Sequence, residues 1–177
     1  MKYSMKIIGI LLVVTLITAF LFSRNSIKPS LPISEKTKPT TTLTLSPNPI
    51  TSYPNSSAEI ILDTGKDAVR FVQIKLLYNR KYVYDMTVTQ GPILKNATVL
   101  SSNINQEAGS LTYILELPKK IVETQGRGVI ATLTFKTFLE PKQSTYLRFS
   151  PDTLVTNDKN PRSILQKTND TIILRPE

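Results

Sequence analysis

Apolar and polar residues alternate along most of the chain after residue 41. In residues 111–117, for example, every second side chain is apolar, which places these side chains on one face of a β-strand. Turn residues such as Asp63-Thr64-Gly65 and Gly91-Pro92 separate such segments. The predicted strands are 42–46, 58–62, 69–78, 84–89, 97–101, 111–117, 129–138, 145–149 and 171–174. Because no amphipathic helical period accompanies them, the pattern predicts an all-β domain, a β-sandwich or jelly roll.

The N-terminus follows a different pattern. Residues 7–22 carry no charge, Lys6 precedes them and Arg24 follows them. Such a segment is either a secretory signal peptide or a membrane anchor. After this core, no two positions one residue apart are both small, as signal peptidase cleavage requires, so we favour an uncleaved anchor. Lys6 and Arg24 would reach the two interfaces, since a bilayer-spanning helix needs about 20 residues.

Residues 23–41 are rich in Ser, Thr, Pro and Lys and have no hydrophobic period, which is typical of an extended, solvated tether. We therefore expect a signal-anchor or transmembrane helix in 1–22, a tether in 23–41 and a β-domain in 42–177. Positive charges on the two sides of the apolar segment are nearly equal and do not fix its orientation. The tether favours a single-pass protein of the cell membrane with an extracytoplasmic domain, which would be secreted if the leader is cleaved.

The amino-acid composition excludes several kinds of functional site. The chain has no Cys, His or Trp, which excludes disulfides, thiolate or imidazole metal ligands and histidine bases. Its formal charge is +9, but residues 42–177 hold 16 basic and 12 acidic residues, a net of +4. The longest basic clusters are Arg80-Lys81 and Lys119-Lys120. We expect no nucleic-acid partner, no cofactor or metal, and, because the carboxylates are thinly spread, no catalytic residues and no enzyme activity.

The order of the motifs resembles that of the cohesin domain, whose superfamily also includes certain carbohydrate-binding modules. Leu76-Leu77-Tyr78 ends the third predicted strand, and residues 126–135 read Gly-Arg-Gly-Val-Ile-Ala-Thr-Leu-Thr-Phe. The resemblance covers about Thr42 to Leu174, and Asn79 stands where the family pattern has Asp. It implies a protein–protein attachment module whose partner is a dockerin-like protein. The dockerin partners of cohesins carry calcium-binding loops. Residues 158–160 (Asp-Lys-Asn) lack the glycine and distal glutamate of such a loop, so this chain would be the receptor and not the dockerin.

The resemblance places the binding face on the outward side of one sheet. Ile130 is expected to point outward, because Val129, Ala131 and the following apolar positions claim the core side of a period-two strand. If three of the strands are neighbours, their apolar outward residues would form a contiguous partner site; alternatively, a loop or the tether covers them. The candidate binding face comprises Phe71, Gln73, Lys75, Leu77, Thr112, Ile114, Glu116, Ile130, Thr132, Thr134 and Lys136.

A carbohydrate-binding module on the same fold is the alternative, with a polysaccharide as the partner. Such modules stack sugar rings on exposed aromatic side chains, and the absence of Trp counts against a flat crystalline glycan. Finding Tyr82, Tyr84 and Tyr113 coplanar and exposed would favour this alternative, and a glycan array would test it.

Overall fold

Two β-sheets packed face to face form the part of the chain that the structure, a computed structural model, describes, residues 38–177. The strands are β1 (Thr41–Ser46), β2 (Ile50–Thr51), β3 (Ser56–Asp63), β4 (Phe71–Tyr78), β5 (Val83–Gln90), β6 (Thr98–Asn105), β7 (Ser110–Glu116), β8 (Arg127–Thr137), β9 (Ser144–Phe149), β10 (Leu154–Thr156), β11 (Leu165–Asn169) and β12 (Thr171–Leu174). A single 3-10 turn at Pro92–Leu94 is the helical structure within this range. No helix in this range is long and apolar enough to cross a membrane.

The first sheet has the strand order β11-β1-β3-β8-β5. The second has the order β2-β12-β9-β4-β7-β6, and β10 also pairs with β4. Both sheets are mixed, because β1 runs parallel to β11 and β12 runs parallel to β2. The predicted all-β sandwich is confirmed, whereas the predicted N-terminal helix lies outside the described residues.

The core lies between the sheets and consists of the apolar members of each alternating strand. Leu43, Ile60, Ile74, Leu115 and Leu133 come from five different strands and are all 0% exposed. Each of the nine predicted strands has a counterpart in the structure, with ends shifted by up to four residues. The strands β2, β10 and β11 were not predicted, because two of them are very short and β11 alternates poorly.

Strand β8 contains a β-bulge at Ile130, and this corrects a prediction. Ala131 pairs with Ile60 and Val129 pairs with Ile61, so Ile130 is an extra residue without a partner on β3. A bulge shifts the side-chain alternation by one position. Ile130 and Ala131 are both buried, and Val129 is only half-buried. The expected outward orientation of Ile130 is therefore wrong.

The condition for a single contiguous site, that the three face strands are neighbours, is not met. Strands β4 and β7 are adjacent in the second sheet, but β8 lies in the first sheet between β3 and β5. The outward sides of the two sheets point in opposite directions. Alternation within single strands does not reveal which sheet a strand joins, because pairing is a long-range choice.

Asp67 holds the point at which the chain enters the domain. Its Oδ2 atom accepts hydrogen bonds from the backbone amide and hydroxyl of Thr40, both at 2.9 Å. The Thr41 hydroxyl donates to the same oxygen at 3.2 Å. These bonds fix the start of β1 against the loop between β3 and β4.

A buried arginine organises the neighbouring loops. Arg70 is 8% exposed and donates from Nη1 to the carbonyls of Leu117 and Pro118, at 3.1 and 2.8 Å. Its Nη2 donates to the Ile121 carbonyl at 3.2 Å. Asp158 Oδ1 lies 2.6 Å from Nε as an ion pair. Arg70 thus connects the loop after β7 with the loop after β10.

Candidate binding face

Strands β4 and β7 carry seven of the eleven predicted binding residues on the outward side of the second sheet. These side chains are all half-buried, and the residues between them on the same strands are buried in the core. The alternation predicted for these two strands is therefore confirmed. The seven residues are Phe71, Gln73, Lys75, Leu77, Thr112, Ile114 and Glu116.

The register of β4 and β7 separates the apolar side chains into two groups. Phe71 pairs with Glu116, and Gln73 pairs with Ile114, so Phe71 and Ile114 are diagonal neighbours. On the other side of Gln73, β10 contributes the half-buried Leu154. Phe71, Ile114 and Leu154 form the first apolar group, which lies at one end of the face.

The second group is centred on Leu77, on the other side of the row that Lys75 occupies. Strand β9 places Arg148 directly opposite Leu77. The guanidinium carbon of Arg148 lies 4.7 Å from the centre of the Tyr146 ring, a cation–π distance. Beyond it, Ile172 of β12 pairs with Tyr146 and is 47% exposed.

The contribution of β9 and β12 to the face was not predicted from the sequence. The alternation in residues 145–149 was sufficient to point Tyr146 and Arg148 outward, but the sequence gives no sign that β9 pairs with β4. Instead of one contiguous apolar site, the face has two apolar groups, which also include Leu154, Tyr146 and Ile172.

The polar centre of the face is held in place by Asp152. Lys75 Nζ lies 2.7 Å from Asp152 Oδ2, and the Gln73 amide donates to the Asp152 carbonyl at 2.9 Å. Both members of the ion pair are partly exposed, so the pair adds little to stability. Its effect is to fix the Lys75 and Gln73 side chains before any partner arrives, which lowers the entropy lost on binding.

The far edge of the face is uncharged. Strand β6 pairs with β7 and places Ser101, Asn103 and Asn105 opposite Ile114, Thr112 and Ser110. The face therefore changes from apolar and aromatic side chains on β9 and β4 to mostly small hydrogen-bonding side chains on β6, a strand that also exposes Val99 and Leu100.

The other four predicted residues lie elsewhere. Ile130 is in the core, while Thr132, Thr134 and Lys136 point outward from the first sheet. The Thr134 hydroxyl forms a hydrogen bond of 2.5 Å with that of Thr87. A hydrogen bond from Lys136 to Asp85, together with the negative charge of that carboxylate, raises the pKa of Lys136. These residues cannot share a partner site with β4 and β7.

The three tyrosines required for a sugar-stacking strip do not form one. Tyr113 is 2% exposed because it faces the core from β7, and burial raises its pKa. Tyr84 is exposed on the first sheet, and Tyr82 is half-buried. The coplanar, exposed arrangement of these three residues that would have favoured the carbohydrate-binding alternative is absent.

Comparison with known proteins identifies the family. The sequence model of the cohesin domain matches residues 58–174, more than half of the chain. The chain belongs to the cohesin domain family. The resemblance found in the sequence is confirmed, and this cohesin has the two-sheet architecture that the resemblance implied. No curated protein matches this cohesin in sequence.

Solved cohesins share the fold at low sequence identity. The third cohesin ScaC of Acetivibrio cellulolyticus, in complex with the ScaB dockerin, is 15% identical, with a TM-score of 0.67 and coverage of 78% of this cohesin and 100% of that chain. The OlpA cohesin of Clostridium thermocellum, in complex with Doc918, is 11% identical, with a TM-score of 0.62 and coverage of 76% and 98%. A non-cellulosomal cohesin of the archaeon Archaeoglobus fulgidus is 13% identical, with a TM-score of 0.62 and coverage of 78% and 92%.

Proposed function

We propose that this cohesin is a membrane-tethered, extracytoplasmic attachment module that binds a dockerin-type protein through the outward face of β4 and β7. It acts by binding and not by catalysis. The observation that carries the proposal is the presence of two groups of partly exposed apolar side chains, one around Phe71 and Ile114 and one around Leu77, on the outward side of a single sheet.

The composition of the face fits a protein partner. Protein interfaces combine apolar and aromatic anchors with a rim of hydrogen-bonding groups, and Arg and Tyr are frequent among their strongest contributors. Tyr146 and Arg148 lie beside Leu77, while the asparagines of β6 lie at the opposite edge. The ScaC and OlpA cohesins were solved in complex with dockerins, which supports the same class of partner for this cohesin.

The location outside the cytoplasm rests on the sequence before residue 42. The uncharged segment 7–22 is flanked by Lys6 and Arg24 and is followed by the Ser/Thr/Pro/Lys-rich residues 23–41. A single-pass anchor followed by a solvated tether suits a domain displayed at the cell surface. In this arrangement, binding of a dockerin-bearing protein would attach that protein to the membrane.

A binding assay with paired variants tests the proposed face. The fragment 38–177 contains both sheets and the entire core described here, so it serves as the domain. Dockerin-bearing proteins from the same organism are purified and titrated against it one at a time by calorimetry. We expect one of them to bind, and Ile114→Glu to abolish that binding because it buries an unpaired charge at the interface.

Thr134→Glu is the matched control, since it places the same charge on the outward side of the first sheet. It should bind as the unchanged fragment does, and thermal melts should show that both variants fold. Equal loss for the two variants would contradict the assignment of the face. Binding of polysaccharide without binding of any dockerin would contradict the proposed function.

A further inference from the structure

One end of the sandwich, the entry pole, is formed by residues 38–40 and by four loops, 64–70, 91–97, 117–126 and 157–164. Hydrogen bonds join these segments: Thr64 to Gly126 at 3.0 Å and Val69 to Thr124 at 2.8 Å, both through their backbones. The Asp158 amide donates to Glu123 Oε1 at 2.7 Å. The described domain begins at this pole with Lys38.

The entry pole has a concentration of unpaired positive charge. Eight basic side chains at this pole or on the strand residue next to it are exposed, and within residues 38–177 none of them lies within 4.0 Å of an acidic group. They are Lys38, Lys66, Lys95, Lys119, Lys120, Arg127, Lys159 and Arg162.

The acidic residues of this pole are mostly engaged with the domain itself. Asp67 accepts three hydrogen bonds from Thr40 and Thr41, and Asp63 accepts one from the Gly65 amide at 3.0 Å. Asp158 is paired with the buried Arg70. The Asp158 side chain is 55% exposed, but the eight exposed cations outnumber the exposed carboxylates at this pole.

The opposite pole lacks this imbalance. Lys136 pairs with Asp85 at 2.9 Å, and Lys142 pairs with Glu177 at 2.6 Å. Arg80 donates to the Glu107 carbonyl at 2.6 Å. At this pole the basic residues are Arg80, Lys81, Lys136, Lys142 and Arg175, and the acidic residues are Asp85, Glu107, Glu140, Asp170 and Glu177. The entry pole with its adjoining strand ends has nine basic residues, the eight exposed ones and Arg70, against Asp63, Asp67, Glu116, Glu123 and Asp158. The excess charge of the domain thus lies mainly at the end at which the chain enters.

An exposed apolar side chain accompanies these cations. Val122 is 88% exposed in the loop that follows β7, close in sequence to Lys119 and Lys120. Three hydrogen bonds from Arg70 to carbonyl oxygens hold the backbone of this loop in place. An exposed apolar side chain preceded in its loop by two lysines matches the interface of a lipid bilayer, where apolar groups enter the headgroup region and cations meet anionic lipids. A soluble polyanion would use the cations but not the valine.

We propose that the entry pole is a contact surface for an anionic lipid membrane, with Lys119, Lys120 and Val122 at its centre. This inference rests on the membrane anchorage of the proposed function, because the tether joins the domain at Lys38 on this pole. The contact would orient the domain with its tether side toward the bilayer. The β4–β7 face lies along the side of the sandwich and stays available to a partner.

Vesicle sedimentation tests the inference. The fragment 38–177 excludes the apolar segment 7–22, so any binding belongs to the domain. Vesicles are either pure phosphatidylcholine or an equimolar mixture of phosphatidylcholine and phosphatidylglycerol. We expect binding to the mixed vesicles alone, and we expect it to weaken as salt rises from about 0.05 to 0.15 M, where the screening length falls to about 8 Å.

Two matched charge reversals locate the contact. Lys119→Glu/Lys120→Glu and Arg80→Glu/Lys81→Glu change the net charge equally, but at opposite poles. The first should reduce partitioning by at least about 30-fold, since each surface cation near an anionic bilayer contributes more than a fivefold effect. The second should leave partitioning nearly unchanged. Val122→Ser should weaken vesicle binding without affecting retention on immobilised polyphosphate.

The other outcomes overturn the inference. If the unchanged fragment does not bind mixed vesicles at low salt, the proposed membrane contact is wrong. Equal losses for the two charge reversals would mean that net charge alone drives binding. An unaffected Val122→Ser variant, combined with strong retention on polyphosphate, would assign the pole to a soluble polyanion. Dockerin binding is measured separately on the β4–β7 face, so it can survive any of these results.

Discussion

The backbone amide of Gly91 donates a hydrogen bond to the carbonyl of Ile130 at 2.9 Å, at the residue where β8 bulges. A Cβ atom added to Gly91 would lie 2.3 Å from the Val129 carbonyl oxygen. The loop after β5 therefore passes so close to β8 that only glycine fits at position 91. This hydrogen bond continues the pairing of β5 with β8 by one residue beyond Gln90 and Ala131, on the side of β8 opposite the bulge.

Ile130→Ala is expected to lower the free energy of unfolding by about 2–5 kcal/mol, because Ile130 is 0% exposed and its truncation leaves a cavity. Thr134→Ala on the same strand should change it by no more than about 0.5 kcal/mol, since Thr134 is exposed. Urea denaturation of the fragment 38–177 measures both. A small effect for Ile130 would mean that the alternation of β8 continues without a bulge.

Gly91→Ala should lower the free energy of unfolding by about 1–3 kcal/mol, the usual range for forcing an extra carbon into a packed site. The obstacle is backbone and cannot rotate away. Lys95→Ala in the same loop is the control and should be nearly neutral, because Lys95 is exposed. Denaturation curves that coincide for the two variants would show that the loop shifts to accommodate the methyl group.

The bulge also shows how far the sequence predicts this structure. Period-two patterns located β4 and β7 and the outward side of each, since burial of one sheet face dictates local alternation. They failed at Ile130, because a run of apolar residues from Val129 to Ala131 fits either register. They also failed to place Arg148 beside Leu77, since that neighbour depends on the pairing of strands 71 residues apart. Thus the two core strands of the face were predictable, and the β9 and β12 contributions were not.

Arg70→Met is expected to lower the free energy of unfolding by about 3–5 kcal/mol, because three carbonyl oxygens lose a charged hydrogen-bond donor. Hydrogen exchange should accelerate in residues 117–124 before it does in β4 or β7. Arg70→Lys should restore less than half of the loss, since one ammonium cannot replace the planar fork of donors. Full rescue by lysine would indicate that charge, and not the shared hydrogen bonding, holds the loops.

Two buried tyrosines predict a loss of stability in alkaline solution. Burial raises the pKa of both Tyr78 and Tyr113 above the model-compound value of 10.0. The unfolded chain therefore releases these phenolic protons at lower pH than the folded chain does. The resulting stability is fully present below about pH 10 and declines as the pH rises toward the folded-state pKa values.

This decline is measured by urea denaturation across the alkaline range, while ultraviolet absorbance reports the ionised phenols. Tyr78→Phe/Tyr113→Phe should show a shallower decline than the unchanged fragment. The comparison separates the contribution of the two phenols from that of the rest of the chain. Identical slopes would show that neither phenol contributes to the pH dependence.

Arg148 should be a strong contributor to partner binding, although the sequence did not single it out. Its guanidinium is already stacked on Tyr146 beside Leu77, so it loses little conformational freedom when a partner binds. We expect Arg148→Ala to weaken dockerin binding by about tenfold or more, mainly through faster dissociation. Lys136→Ala is the matched control, because Lys136 is an exposed cation on the outward side of the first sheet. Surface plasmon resonance gives both rates, and an equal loss for the two variants would mean that the partner responds to the positive charge of the domain and not to the β4–β7 face.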